Sequence, residues 1–336
     1  MLRRFAAAKQ LHVKVTSADE NEKITLGISS CLLGAEVRFD GGHKRDAYIN
    51  GTLSEYFEFV PVCPEIAIGL GTPRPPIRLV QRHDQIRVVG VRNPENDFTR
   101  QLRDYGRRMS ARLSELSGYI FKRGSPSCGM ERVKVYSEQG MPVKSSTGAY
   151  AAEIMRAQPL LPCEEEGRLG DPVLRENFIE RVFVFKRWQN LMREGLTPGK
   201  LVDFHTSHKF LVLAHNQSAY RRMGRLVAQA GSRHTDIDEL GTQYAIELMG
   251  ALKRRASRKQ HVNVLQHLIG YVSDFLDADD RAEMVDIIEQ YRQGLVPLIV
   301  PLTLLKHHLR RHPNEYVQRQ FYLTPHPKEL MLRNTL

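Results

Sequence analysis

The sequence has few cysteines, one tryptophan and no long apolar segment. Its 336 residues include four cysteines, and no two of them stand in a CxxC arrangement, which argues against a zinc ribbon. No stretch approaches the roughly 18 consecutive apolar residues of a membrane-spanning helix, and residues 1–13 lack the apolar core of a signal peptide. We therefore expect a cytoplasmic protein that does not depend on disulfide bonds.

What the sequence has in excess is positive charge. Lysine and arginine number 49 against 38 acidic residues, which gives a net charge of +11. Residues 171–336 carry +6 of this excess, together with ten of the thirteen histidines. A basic excess favours a polyanion as partner, most often nucleic acid, but it does not identify that partner by itself.

The first half of the chain alternates short apolar runs with helical patterns. Apolar spacing predicts one helix that starts at Asp97 and ends by Gly118, and a second over residues 147–157. Buried strands are predicted at residues 24–29, 57–60, 85–91 and 118–122. Strands that alternate with helices indicate an α/β fold with a largely parallel sheet.

The second half is different in character. Residues 164–172 form an acidic connector that contains glycine and proline. Beyond it the spacing is helical, with helices predicted through residues 178–191 and at about 200–214, 216–230, 237–252, 260–277, 280–293 and 301–311. The sequence thus predicts an N-terminal extension (1–22), an α/β domain (23–168) and an all-α domain (173–336).

Three of the cysteines follow predicted strands. Cys31, Cys63 and Cys128 each stand shortly after the end of a strand, beside glycine, proline or serine. The carboxyl ends of parallel strands share one edge of the sheet, where α/β folds place their sites. Three thiolates gathered there suit zinc, copper(I) or an iron–sulfur cluster. The alternative is that these cysteines are small buried hydrophobic side chains.

Five blocks of sequence surround these cysteines: SCLLG at 30–34, RFDGGHK at 38–44, VCPE at 62–65, GLGTPRPP at 69–76 and SPSCG at 125–129. In this order they resemble the signature blocks of the thiouracil desulfidase (TudS) family, and the resemblance covers about residues 23–165. Members of that family carry a [4Fe-4S] cluster on three cysteines. The resemblance therefore implies a cluster with one open iron on Cys31, Cys63 and Cys128, and it leaves Cys163 outside.

The resemblance also implies roles for residues near the cysteines. Family members replace a C=S bond by C=O, which implies that Glu65 acts as general base on water and that Ser125 donates a hydrogen bond or relays a proton. Helix capping by Glu65 and turn formation by Ser125 are the plainer alternatives. Asp40 is a candidate for orienting the substrate, and Lys44 and Arg74 for contacting its phosphate, against ordinary turn or surface roles.

The second half contains HTSHKF at 205–210, AHN at 214–216, NVLQHLIGY at 263–271 and PLIVPLTLLKH at 297–307. These blocks resemble the YbgA-like helical domain. The two halves together resemble RudS-type desulfidases, which remove sulfur from 4-thiouridine in tRNA, so this half is expected to bind tRNA. The candidate RNA contacts lie in basic clusters, with solvated surface charge as the alternative: Arg221, Arg222, Arg254 and Arg255.

We therefore expect a [4Fe-4S]-dependent desulfidase that hydrolyses 4-thiouridine in tRNA to uridine and hydrosulfide. One alternative is a desulfidase of free thiouracil or thiouridine nucleotides. Another is an iron–sulfur protein without turnover that binds RNA or acts as a sensor. Glu65 and Ser125 beside two of the cysteines weigh against the sensor, whereas the choice between tRNA and free nucleotide stays open, as does the oligomeric state.

Overall fold

The computed structural model describes residues 23–334, so the predicted extension at 1–22 lies outside the described residues. An α/β region comes first and a helical region follows, which confirms the predicted fold class. The strands of this part are β1 (Ile24–Ser29), β2 (Phe57–Val62), β3 (Ile77–Arg82), β4 (Gln85–Gly90), β5 (Gly118–Phe121), β6 (Val133–Tyr136), β7 (Pro142–Ser146) and β8 (Cys163–Glu165).

Four strands form a parallel sheet, as predicted. Their order is β2-β1-β5-β8, and every neighbouring pair is parallel. The strand β8 overlaps the segment predicted as a connector at 164–172, and that prediction was wrong at its first two residues because Glu164 and Glu165 are buried beside β5. The central strands β1 and β5 are almost wholly buried, as expected for a parallel sheet that is covered on both faces. Because the strands all run in one direction, the loops that follow them gather at one edge.

The other four strands form a second sheet, which the sequence patterns did not separate from the first. Its order is β4-β3-β6-β7, with β3 parallel to β6 and the two outer pairs antiparallel. The run predicted at 85–91 is therefore a strand, but it belongs to this sheet and not to the parallel one. It pairs with β3 across a two-residue turn at 83–84, because such local closure costs little chain entropy.

The helices of residues 23–334 fall into a short N-terminal set and a long C-terminal set. They are α1 (Ser54–Tyr56), α2 (Pro64–Ala67), α3 (Thr99–Arg112), α4 (Ala149–Ala157), α5 (Pro172–Arg193), α6 (Pro198–His215), α7 (Gln217–Val227), α8 (Ile237–Leu252), α9 (Arg258–Ile269), α10 (Ala278–Gln293), α11 (Ile299–Arg311) and α12 (Glu315–Gln318). The helix predicted over 260–277 ends earlier, at Ile269, because Gly270 caps it and a short 3-10 turn follows. In this part of the chain no helix combines the length and apolarity needed to cross a membrane.

The long helix α5 belongs to the cores of both halves. Its side chains Phe178, Ile179 and Val182 are fully buried against β1 and its surroundings in the α/β half. Further along the same helix, Val184 and Trp188 are buried in the helical core. The two halves therefore share a structural element, and the boundary predicted between 168 and 173 falls just before it.

Candidate active site

Cys31, Cys63 and Cys128 lie around one cavity at the carboxyl edge of the parallel sheet. Cys31 lies in a 3-10 turn directly after β1, Cys63 follows β2 and precedes α2, and Cys128 lies on the loop after β5. All three line a cavity of about 370 Å³. The structure thus brings together the three cysteines that the sequence grouped.

The three thiols lie in a buried and partly basic environment. Burial raises the pKa of Cys31 to about 11, and it also raises the pKa values of Cys63 and Cys128. Lys122 and Arg38, which line the same cavity, act in the opposite direction and lower the pKa of Cys31. The thiols are protonated at neutral pH on their own, so a metal centre that binds them must displace their protons.

The donor set consists of three soft sulfur atoms, the type of ligand that iron–sulfur clusters use. Across residues 23–334, no three His, Cys, Asp or Glu side chains are arranged to hold a metal ion. In a four-iron cluster each cysteine binds a different iron, so the ligands stand apart around the cluster. Three soft sulfur donors around one cavity match that arrangement.

Cys163 lies away from this cavity. It opens β8, opposite Tyr119 of β5, and is not among the residues that line the cavity. It lines instead a larger cleft between the two halves, where burial raises its pKa to about 12. The structure therefore separates Cys163 from the other three cysteines.

Glu65, in the first turn of α2, is fixed by a buried ion pair. Arg74 donates to its Oε2 from Nε at 3.0 Å and from Nη2 at 2.5 Å. Ser127 donates from its hydroxyl to Oε1 at 2.5 Å. Arg74 lines the cavity, and its guanidinium is engaged by Glu65. The phosphate contact stays a prediction.

Glu65 lines the cavity itself, and two serines form hydrogen bonds with its carboxylate. The hydroxyl oxygen of Ser125 lies 3.0 Å from that of Ser127 and 3.5 Å from Oε1 of Glu65. It also accepts the backbone N–H of Cys128 at 3.1 Å, which leaves its own hydrogen for Ser127 or Glu65. Ser125 lines the cavity, whereas Ser127 is completely buried. A chain of hydroxyl groups therefore runs from the cavity to the carboxylate.

The two remaining candidates for substrate contact lie in different surroundings. Lys44 lines the cavity, and its backbone N–H donates to the carbonyl of Cys31 at 2.9 Å. Asp40 is not part of the cavity lining. It accepts from Arg38 at 3.2 Å and from the backbone N–H of Gly42 at 3.1 Å, and the bond from Arg38 lowers the pKa of Asp40. Asp40 thus has the surroundings of a turn residue.

Sequence reasoning missed three residues of this site. Ser127 lies between Ser125 and Glu65, while Lys122 and Arg38 place positive charge near Cys31. Ser127 and Arg38 lie inside the SPSCG and RFDGGHK blocks, and the predicted strand at 118–122 ends at Lys122. Their places in these blocks and at the strand end were the signal that could have identified them, but their contacts depend on tertiary folding.

The four arginines predicted to contact RNA lie in two places. Arg254 and Arg255 follow α8 and line the cleft between the halves. Arg221 and Arg222 are exposed on α7, outside that cleft. Arg222 donates to Glu247 from Nη2 at 2.8 Å and from Nε at 3.1 Å, so its charge is compensated within the protein.

Fold and site together define an α/β domain with a three-thiol cavity, joined to a helical domain. A family model described as 2-thiouracil desulfurase matches residues 26–166, and one described as a protein of unknown function (DUF1722) matches residues 209–327. The uncharacterized protein YbgA of Escherichia coli (strain K12) is 32% identical over 155 residues, which are 46% of this chain and 91% of that protein. The uncharacterized protein YbbK of Bacillus subtilis (strain 168) is 32% identical over 108 residues, 30% of this chain and 71% of that protein.

A solved structure titled [4Fe-4S]-dependent thiouracil desulfidase TudS is 26% identical in sequence and aligns with a TM-score of 0.36. The match covers 44% of this chain and 95% of the chain in that structure. From the sequence matches, the chain belongs to the 2-thiouracil desulfurase family through its α/β domain, fused to a YbgA-like DUF1722 domain. The predicted fusion is confirmed, and the α/β domain is a desulfidase domain.

Proposed function

We propose that this chain is a [4Fe-4S]-dependent desulfidase that converts 4-thiouridine in tRNA to uridine and releases hydrosulfide. The observation that carries the proposal is the shared cavity, which is lined by Cys31, Cys63, Cys128, Glu65 and Ser125. The family match supports desulfidase chemistry in this domain. A tRNA substrate places the reaction in the cytoplasm.

Cys31, Cys63 and Cys128 are the residues that would hold the cluster. When bound, the cluster supplies a thiophilic Lewis acid, an iron without a protein ligand, next to the substrate. Lys122 and Arg38 stand near Cys31 and act against burial to lower its pKa, although each is also paired with a carboxylate, Lys122 with Glu166 and Arg38 with Asp40.

Glu65 is placed to take a proton from the attacking water. In the reaction the water oxygen bonds to the ring carbon, the carbon–sulfur bond breaks, one water proton passes to Glu65, and the other leaves with the sulfur as hydrosulfide. Because Arg74 occupies Oε2, the accepting atom is Oε1, which the proton reaches directly or through the hydroxyl groups of Ser125 and Ser127. Arg74 thereby orients the base.

The size of the cavity bears on the substrate. The cavity of about 370 Å³ must hold both the cluster and the reacting base, so it has room for no more than a single base, and a tRNA substrate must present one base turned out of its stack. A free thiouracil or thiouridine nucleotide presents the same base and is the second candidate.

The test uses anaerobically reconstituted protein. It is incubated separately with bulk tRNA that contains 4-thiouridine and with free 4-thiouridine monophosphate, while the thiocarbonyl absorbance and the released sulfide are followed. We expect rapid loss of the absorbance with tRNA. Loss with the monophosphate alone would favour the second candidate, and loss with neither in cluster-loaded protein would refute desulfidation.

A further inference from the structure

The cleft between the two halves carries an excess of positive charge. It has a volume of about 970 Å³, with walls from residues 130–168 of the α/β half and 173–257 of the helical half. Its carboxylates, Glu131 and Glu164, both bind Arg168, at 3.1 and 2.6 Å. The other cations that line it form no ion pair with any carboxylate of residues 23–334: Arg181, Lys253, Arg254 and Arg255.

Arg181 is a buried cation that forms no direct ion pair in the described part of the chain. Burial lowers its pKa and Glu164 is near enough to act in the opposite direction, but Arg168 engages that carboxylate. Its side chain lines the cleft, yet the residue is only 7% exposed. Its Nη2 donates to the carbonyl of Cys163 at 3.2 Å, and its Nε has no hydrogen-bond partner. A buried guanidinium that no carboxylate pairs with directly is costly to the folded state. An anion that enters the cleft would satisfy it.

The loop at 253–255, which carries the other three cations, is held in a fixed position. Asn177 of α5 donates from its side chain to the carbonyl of Leu252 at 2.9 Å. His215 of α6 donates from Nδ1 to the carbonyl of Arg254 at 2.5 Å. A loop fixed in this way presents its cations without the ordering cost that a mobile loop incurs on binding.

The cleft adjoins the candidate active site. The loop after β5 places Ser125 and Cys128 on the cavity, and Met130 and Glu131 on the cleft. Cys128 and Glu131 are three residues apart, a span of at most about 11 Å. A polyanion whose base enters the cavity is therefore within reach of the cleft.

We propose that this cleft binds the phosphodiester backbone of RNA beside the base that enters the cavity. The position beside that base rests on the proposed tRNA substrate. Guanidinium groups bind phosphate oxygens through paired, charge-assisted hydrogen bonds. Several unpaired cations along one cleft suit the repeated phosphates of a polynucleotide better than one isolated phosphate. Arg181 contacts phosphate at the floor, and Arg254 and Arg255 contact it at the rim.

The test measures RNA binding by the full-length, cluster-loaded protein. The probe is a fluorescein-labelled single-stranded RNA dodecamer without thiouridine, followed by anisotropy at several salt concentrations. The variants are Arg181→Gln and the double variant Arg254→Gln/Arg255→Gln. The matched control is Arg310→Gln/Arg311→Gln, which removes two adjacent exposed arginines of α11 that lie outside the cleft and form no ion pair within residues 23–334.

We expect Arg181→Gln to weaken RNA binding about tenfold or more, since it removes a hydrogen bond to a charged group. The rim variant should also weaken binding, and it should flatten the slope of log K against log salt by about 0.7 for each phosphate that is no longer neutralised. The control should change neither quantity appreciably. If thermal unfolding shows that Arg181→Gln is not folded, the rim variant, whose changed side chains are exposed, decides the question.

Two results would overturn the inference: full RNA affinity in the rim variant, or equal weakening in the control. Uridine monophosphate is added as competitor to identify the source of the phosphate. Weak competition supports a polynucleotide, whereas displacement of the dodecamer at equal concentration would assign the cleft to a free nucleotide and overturn the inference. If RNA binds through the cleft but tRNA loses no sulfur, the proposed function fails and the cleft assignment stands. If tRNA loses sulfur while the rim variant binds RNA normally, the proposed function stands and the cleft assignment fails.

Discussion

Replacement of Glu65 by glutamine tests the candidate active site most directly. The substitution keeps the shape of the side chain but removes its negative charge and its ability to accept a proton. Loss of a general base typically slows a reaction by about 10²–10⁴-fold, which corresponds to roughly 3–5 kcal/mol of activation free energy. We expect kcat to fall by that factor while substrate binding is retained.

The same substitution also removes the counter-charge of Arg74. The side chain of Arg74 is only 5% exposed, and both of its bonds to Glu65 end on Oε2. Removal of one partner of a buried ion pair costs about 3–5 kcal/mol of folding stability as an upper figure. Arg74→Gln is the matched control, because it breaks the same ion pair but keeps the carboxylate. It should lose comparable stability and much less activity.

The assay follows sulfide release from thiolated tRNA and from 4-thiouridine monophosphate under anaerobic conditions. Iron content and thermal unfolding are measured for each variant, so that only folded and equally loaded proteins are compared. A wild-type rate in loaded Glu65→Gln would refute the role of Glu65 as base. An equal loss of rate in Arg74→Gln would assign the effect to the ion pair and not to proton transfer.

Two further substitutions test the metal centre and the helical domain. Replacement of any one of the cavity cysteines, Cys31, Cys63 or Cys128, by alanine should abolish iron binding and the brown colour, whereas Cys163→Ala should retain both. Loss of iron in Cys163→Ala would contradict the open iron, because a fourth thiolate ligand would occupy it. In the helical domain, His215 donates from Nε2 to Glu180 at 2.6 Å and from Nδ1 to a carbonyl, so both ring nitrogens carry hydrogen. Burial lowers the pKa of His215, but Glu180 outweighs it and raises that pKa above its usual 6.5. This pair stabilises the fold fully below about pH 6.5 and loses that contribution as the pH rises through the raised pKa. In denaturant titrations the unfolding free energy of the wild type should therefore fall more steeply above about pH 6.5 than that of His215→Gln. Equal dependence on pH in the two proteins would contradict the assignment.

Local sequence patterns predicted three strands of the parallel sheet but missed β8, which overlaps the predicted connector. β1 and β5 are short apolar runs bounded by turn residues, and such runs are buried wherever they pair. The second sheet was not separated because its signals are weak or distant. β7 is largely exposed and lacks apolar alternation, and the parallel pairing of β3 with β6 joins segments more than 50 residues apart. Pairing of that kind is set by tertiary packing, which local spacing does not reveal.

For the site, the sequence motifs located residues but not their partners. The cysteines could be grouped because each follows a strand of one parallel sheet. The pairing of Arg74 with Glu65 could not be predicted, because an arginine in a loop has the same local pattern whether it faces phosphate or a carboxylate. Arg181 shows a similar limit. Its helical spacing predicts an ordinary helix residue, and only the fold shows that it is buried without a direct ion pair to residues 23–334 and with its Nε not hydrogen-bonded.

The shared helix α5 determines where the α/β half can be cut. Phe178, Ile179 and Val182 are fully buried in the same core as β1, although they lie beyond the predicted domain boundary. Burial of one large apolar side chain stabilises a fold by about 1.5–3 kcal/mol, so loss of these three costs roughly 5–9 kcal/mol, comparable with the whole stability of a typical domain. We therefore predict that a chain of residues 1–170 shows no cooperative thermal unfolding by circular dichroism. A chain that ends at residue 195 keeps α5 and loses only Leu330 and Leu332 from the buried side chains of this core, so it should unfold cooperatively at a reduced temperature. A cooperative transition in 1–170 would show that the α/β half does not need α5.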